Sequence, residues 1–213
     1  MLFISGCSFF IAAGRLDLPR GWLYYLLAAA LSLGGNLLLV YRSPELLNER
    51  GRPGENTKSL DKVLLLLLFG TNLIALPLVA GLDSGRFHWS ALPEFYSCAG
   101  ALLQVSASLI VLWAALENPF FEGTVRLQKE RRQYAVSGGP YAYIRHPGYL
   151  GMSLNTLPLP FIVGSQAALL PAILAIALIV IRTAFEDRLL LRHLPGYRDY
   201  ARKVRYRLFP PIW

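Results

Sequence analysis

The sequence predicts an all-α protein, a polytopic bundle of membrane helices ending in a helical hairpin and an amphipathic tail. Three observations carry that expectation. Hydrophobic residues fill 54% of the 213 positions and charged ones only 16%, whereas a soluble domain averages about 25% charge. Several apolar runs approach the ~20 residues that a helix needs to cross a bilayer. The basic residues between them gather in particular loops, as orientation in a membrane requires.

The runs follow in order. Leu2 to Gly14 is short, stops at Arg15 and has no basic residues before it, so it reads as a span and not as a cleaved signal. Trp22 to Tyr41 is uninterrupted, Val63 to Leu82 is broken only by Asn72 and Pro77, and Tyr96 to Leu116 is the fourth. Two shorter runs, Tyr149 to Val163 and Ala167 to Ile181, flank Gly164-Ser165-Gln166, which reads as the tight turn of a helical hairpin. Pro158 and Pro160 should kink its first arm. From Arg182 to Arg207 leucines alternate with arginines and tyrosines, as in an amphipathic helix lying on the membrane surface and broken at Pro195-Gly196. Residues 1–116 thus read as N-terminal spans and 117–213 as a core fused to them in one domain.

Charge orients the bundle. Arg42, Arg50, Arg52, Lys58 and Lys62 occupy the second-to-third loop, and Arg126, Lys129, Arg131 and Arg132 follow the fourth span, while only Arg86 lies between the third and fourth. The two basic loops are therefore expected in the cytoplasm, with Arg86 outside. Arg15 and Arg20 also fall on the outside, against the rule. The net charge is +8, and from Glu117 onward there are thirteen Lys/Arg against six Asp/Glu. Between membrane spans such an excess points to anionic lipid head groups rather than nucleic acid. Cys7 and Cys98 lie in apolar runs and are not expected to pair.

Chemistry concentrates in two places. The stretch GPYAYIRHPGYLG, Gly139 to Gly151, puts three tyrosines, Arg145 and His146 at the junction of the second basic loop and the hairpin. Ser137-Gly138-Gly139-Pro140 must turn, and Pro147 suits the first turn of a helix. Tyrosine faces there can stack a heterocycle or hold a cation, although an interfacial aromatic belt would look the same. The second place is RTAFED, where Arg182 and Glu186 stand four apart on one helix face. They read either as an intrahelical ion pair or as two charges flanking a ligand at membrane depth.

Taken together, WAALENPFF from Trp113, Gln128, SGGPYAYIRHPGYLG, RTAFED and LPGYRDYARKVRYRLFP resemble the isoprenylcysteine carboxyl methyltransferase family, and more loosely the integral-membrane phospholipid methyltransferases. The resemblance covers about 113–210. It implies S-adenosylmethionine held in a pocket without a Rossmann fold, closed by the C-terminal segment, with no metal. By the match Gln128, Gln133, Tyr134, Ala135, Val136, Tyr141, His146, Pro147, Gly148, Tyr149 and Glu186 would contact the cofactor, and Arg182 would face the methyl acceptor. Two departures stand out: Glu186-Asp187 replaces paired glutamates, and Leu194-Pro195-Gly196-Tyr197 is one residue shorter than the commoner tail.

The implied activity is carboxyl methylation of an isoprenylcysteine-like acceptor entering from the bilayer. A carboxylate needs no general base, only a cation such as Arg182 to hold it. An amine acceptor must be deprotonated, which would give His146 or Glu186 that task. On this reading Arg182→Ala spares cofactor binding and abolishes turnover. Phospholipid amine or small-thiol methylation and a membrane ene reductase using a nicotinamide are the alternatives, and a transporter is disfavoured by spans without charges. The site should face the cytoplasm, of a bacterial inner membrane rather than the endoplasmic reticulum.

Overall fold

The computed structural model describes residues 1–50 and 59–213; Arg52, Lys58 and the side chain of Arg50, assigned above to a cytoplasmic loop, lie outside what it describes. Among the described residues ten α-helices follow one another and no strand occurs. They are α1 (Leu2–Ala13), α2 (Pro19–Arg42), α3 (Pro44–Arg50), α4 (Ser59–Gly70), α5 (Leu76–Gly81), α6 (Phe95–Glu117), α7 (Pro147–Leu154), α8 (Pro158–Val163), α9 (Leu169–His193) and α10 (Tyr197–Lys203). The polytopic helical bundle is as expected. Four helical segments are long and apolar enough to cross a membrane: Pro19–Arg42, Ser59–Phe87, Phe95–Glu117 and Leu169–His193.

The third span runs beyond Leu82 to Phe87 through two π-helical turns, Thr71–Ala75 and Leu82–Phe87. The first wider turn precedes Pro77, which has no N–H to give the carbonyl one turn earlier. Thr71 and Asn72 turn their side chains back onto the carbonyls of Leu67 and Leu68, 2.8 and 2.9 Å away, which satisfies them inside an apolar rod.

The hairpin forms as the sequence suggests, with a first arm divided into α7 and α8 where Pro158 starts a new helix. Gly164 makes the turn at φ +82°, a conformation that a side chain would strain. The hairpin is pinned to the third span by Asp83. This fully buried carboxylate accepts the Ser165 hydroxyl at 2.5 Å and both the N–H and the hydroxyl of Ser90 at 2.9 and 2.5 Å. Ser165→Ala removes one donor from a buried anion and is expected to cost about 2 kcal/mol, read as a lower thermal unfolding midpoint in detergent.

Around Asp83 the connections α1–α2, α5–α6 and α8–α9 meet at one end of the bundle. There Arg15 pairs with Asp17 at 2.6 Å and Arg20 with Glu94 at 3.0 Å. Their charges are thus offset locally, which explains how two arginines sit at the end otherwise poor in free cations. Arg42 at the end of α2, Lys62 at the start of α4 and the basic stretch after α6 lie at the opposite end.

The tail departs from its expected form. Arg182–His193 is not the start of a surface helix but the last three turns of α9, because Arg182, Thr183, Asp187 and Leu190 recur on the buried face. The break comes at Leu194–Gly196, as expected, and only α10 follows. Nor does α10 rest its apolar side on lipid. Tyr197, Tyr200 and Val204 pack on Tyr141, Leu190 and Leu194, folding the tail back over the end of the bundle.

Candidate active site

Under that folded tail lies a cavity walled by the end of α6, the loop 118–136, the start of α7, the inner face of α9, and α10. Its enclosed volume is about 90 Å³, smaller than the roughly 300–1,000 Å³ of small-molecule sites, and it opens to the outside through a wide mouth. Gln128, Gln133, Tyr134, Ala135, Val136, Tyr141, His146, Gly148, Tyr149 and Glu186 all line it. Of the residues assigned to the cofactor only Pro147 does not; it is buried at the first turn of α7. Residues far apart in the chain thus converge on one space.

The loop is shaped by its own amides. Gln128 is buried, donates to the Phe120 carbonyl at 2.9 Å and accepts from Arg131 at 2.8 Å, while its backbone N–H donates to the Gln133 side chain at 2.9 Å. Gln128 and Gln133 therefore build the wall as well as lining it. Gly148 lets the wall close, because a Cβ there would run into the Phe121 ring. Asn118 at the end of α6 donates to the Tyr141 hydroxyl at 3.0 Å, and Tyr200 donates to the Tyr141 carbonyl at 2.7 Å. Burial pushes the phenols of Tyr141, Tyr197 and Tyr200 well above their ordinary range, so all three remain neutral donors at physiological pH.

Two buried charge clusters flank the cavity. In the first, Asp187 is fully buried and collects Arg145 at 2.9 Å, Arg207 at 2.8 Å, the Tyr197 hydroxyl at 2.9 Å and His146 Nε2 at 3.3 Å. The tail is tied to the same place through backbone, since Arg145 and His146 donate their N–H groups to the carbonyls of Tyr206 and Arg207. Arg145 Nε is buried and has no partner among the described residues. Arg145 also borders the cavity.

In the second cluster, Arg182 does not line the cavity. Its Nε donates to Asp61 Oδ1 at 2.7 Å, and its Nη2 to Asp61 Oδ2 at 3.2 Å and to the Gly123 carbonyl at 2.6 Å. Both partners are buried, Arg182 being 3% exposed and Asp61 0%. Asp61 also accepts the Val125 N–H at 2.7 Å, so one carboxylate joins α4, α9 and the loop. Arg182 is not ion-paired to Glu186, the plainer reading of RTAFED. The guanidinium lies 5.3 Å from the centre of the Tyr149 ring, and the Tyr149 hydroxyl donates to Glu186 Oε2 at 2.5 Å.

The sequence reading missed Asp61, Arg145, Asp187 and Tyr197 as site residues. Arg145, Asp187 and Tyr197 were within the motifs quoted for the resemblance. Asp61, in a basic loop, had no signal of its own, because its partner is 121 residues away.

The comparison with known proteins covers the same stretch of chain. Residues 95–195 match the phospholipid methyltransferase family. The matched stretch begins at the start of α6 and ends just past α9, so it contains the loop, the hairpin and both motifs that bound the cavity. The match supports a membrane methyltransferase, and the isoprenylcysteine carboxyl methyltransferases that the sequence resembles are a related group. No curated protein matches the chain.

Proposed function

We propose that this chain transfers the methyl group of S-adenosylmethionine to a lipophilic acceptor that reaches the cavity from the bilayer. One observation carries the reading: the wall of a single cavity offers an unused buried N–H on Arg145, the carboxylate of Glu186 and the aromatic residues Tyr141 and Tyr149. Those groups fit the charges of the cofactor. Arg145 would take its carboxylate, Glu186 its ammonium, and the tyrosines its sulfonium or adenine. When bound, the cofactor supplies an electrophilic methyl on sulfur. The protein supplies orientation and a covered space whose walls mix polar, charged and aromatic groups.

The acceptor follows from what Arg182 is doing. A carboxylate acceptor would need that guanidinium, and Asp61 already holds its fork. An incoming carboxylate would have to displace a buried, geometrically matched one. That observation favours an amine head group over an isoprenylcysteine carboxylate, and the family's name points the same way. An amine must lose a proton, which His146 or Glu186 in the wall would accept; the other carboxylate there, Glu122, is held by Arg126. Because the cavity lies at the end bearing the basic loops, it faces the cytoplasm on this reading.

Membranes containing the full chain, incubated with cofactor labelled in the methyl group, test both parts. Label is expected in lipid and stable to mild alkali, as a methylated amine is. Release of the label as methanol would restore the carboxylate. No affinity for the cofactor or its demethylated product would end the proposal.

A further inference from the structure

The outer face of α9 changes character along its length. Leu170, Ile173, Leu174, Ala177 and Ile181 form an exposed stripe at helical spacing. It continues two and three turns later in the exposed Arg188 and Arg192, with Phe185 one turn after Ile181 and Leu189 between the arginines. From Leu170 to Arg188 the helix rises about 27 Å, close to the ~30 Å thickness of the hydrocarbon layer. The stripe thus turns from aliphatic to cationic at the depth where acyl chains give way to phosphates.

Neither arginine has a carboxylate or any other hydrogen-bonding partner among the described residues, unlike Arg126, Arg145, Arg182 and Arg207, which all do. Arg188 and Arg192 are four apart and so share a face, and together with Phe185, Leu189 and His193 they border one shallow groove. Two guanidinium forks side by side match the paired oxygens of a phosphate. The aliphatic stripe below matches an acyl chain.

We infer that Arg188 and Arg192 form a binding site for an anionic glycerophospholipid, its phosphate held by the two guanidiniums and an acyl chain lying along Ile181 and Phe185. The site is distinct from the cavity but shares its helix: Glu186 and Leu190, on the same two turns, face inward to the cavity wall. A bound lipid would stand one helix width from the reaction. It would also fix the depth of the last turns of α9, on which Glu186 and Asp187 depend.

Native mass spectrometry of the full chain in detergent tests this, after incubation with equal amounts of phosphatidylglycerol and diacylglycerol. Wild type is expected to retain phosphatidylglycerol over diacylglycerol. R188Q/R192Q is expected to lose that preference by about tenfold. R202Q/K203Q, which removes exposed cations on α10, should keep it. Equal retention by wild type and R188Q/R192Q overturns the site, and so does an equal loss in R202Q/K203Q, which would mean bulk charge alone. If R188Q/R192Q fails to fold, R188K/R192K takes its place: loss of the preference supports the paired forks, and unchanged preference overturns them.

Discussion

Asp61→Asn is expected to destabilise the protein by about 3–5 kcal/mol, the usual consequence of leaving a buried charge without its partner. The uncompensated charge is Arg182, 3% exposed and then held only by the Gly123 carbonyl and the Tyr149 face. Arg182→Gln should cost a similar amount for the mirror-image reason, since Asp61 is completely buried. The double variant D61N/R182Q is expected to recover most of the loss. Its two amides can bond one another, and the amide oxygen introduced at position 61 would still accept the Val125 N–H. Thermal unfolding of the four proteins in detergent gives the coupling directly.

The same cycle separates two roles for Arg182. From the sequence alone, Arg182→Ala should leave cofactor binding intact and abolish turnover. The structure adds a large loss of stability, which by itself would suppress both. D61N/R182Q removes that confusion. If Arg182 serves to hold α4, α9 and the loop together, the double variant binds cofactor and turns over. A stable double variant that binds cofactor but transfers no methyl would instead return Arg182 to the acceptor, and the carboxylate reading with it.

Why the sequence showed one part of this and not the other is a matter of range. The second, third and fourth runs were legible as spans because apolar length is a local property, whereas α1, read as a span, is only 12 residues and falls short of crossing. The hairpin was legible because Gly164 and Pro158 act on their own backbone. Ten of the lining residues were legible because they lie in compact motifs, 128–149 and 182–187, whereas Arg145 was passed over within the first and Tyr197 and Tyr200 of the tail were not assigned. Asp61 was not. In the sequence it stands beside Lys62 in a polar loop and reads as solvated, and only its pairing with Arg182 buries it. The end of α9 was misplaced for a related reason. Charges at 182, 186 and 187 look like the end of a membrane helix, yet each has a partner inside the protein, so the helix continues. The aromatic face of the tail, expected on lipid, finds Tyr141 and Leu190 instead.

Asp187→Asn is expected to produce the largest functional loss outside the residues that would touch the cofactor. Asp187 is the common anion for Arg145, His146, Tyr197 and Arg207, which belong to the RHPGY motif and the tail. An asparagine keeps the shape but removes the charge, leaving a buried guanidinium on Arg145 and a half-buried one on Arg207 without a counterion. By the same reasoning the fold should lose about 3–5 kcal/mol, and affinity for the demethylated cofactor product should fall because the cavity wall formed by Arg145 and His146 loses its anchor. The tail should also loosen, because its backbone pairing with residues 145–146 depends on those side chains staying in place. Trypsin should then cut sooner at Arg202, Lys203 and Arg205, which are exposed and close to the hinge of the cover. Asp187→Glu keeps the charge and should fall between wild type and the asparagine variant in both measurements. Tail and cavity would prove independent if Asp187→Asn weakened product binding while the rate of tail cleavage stayed that of wild type. In that case Asp187 would act on the cofactor site through Arg145 and His146 alone.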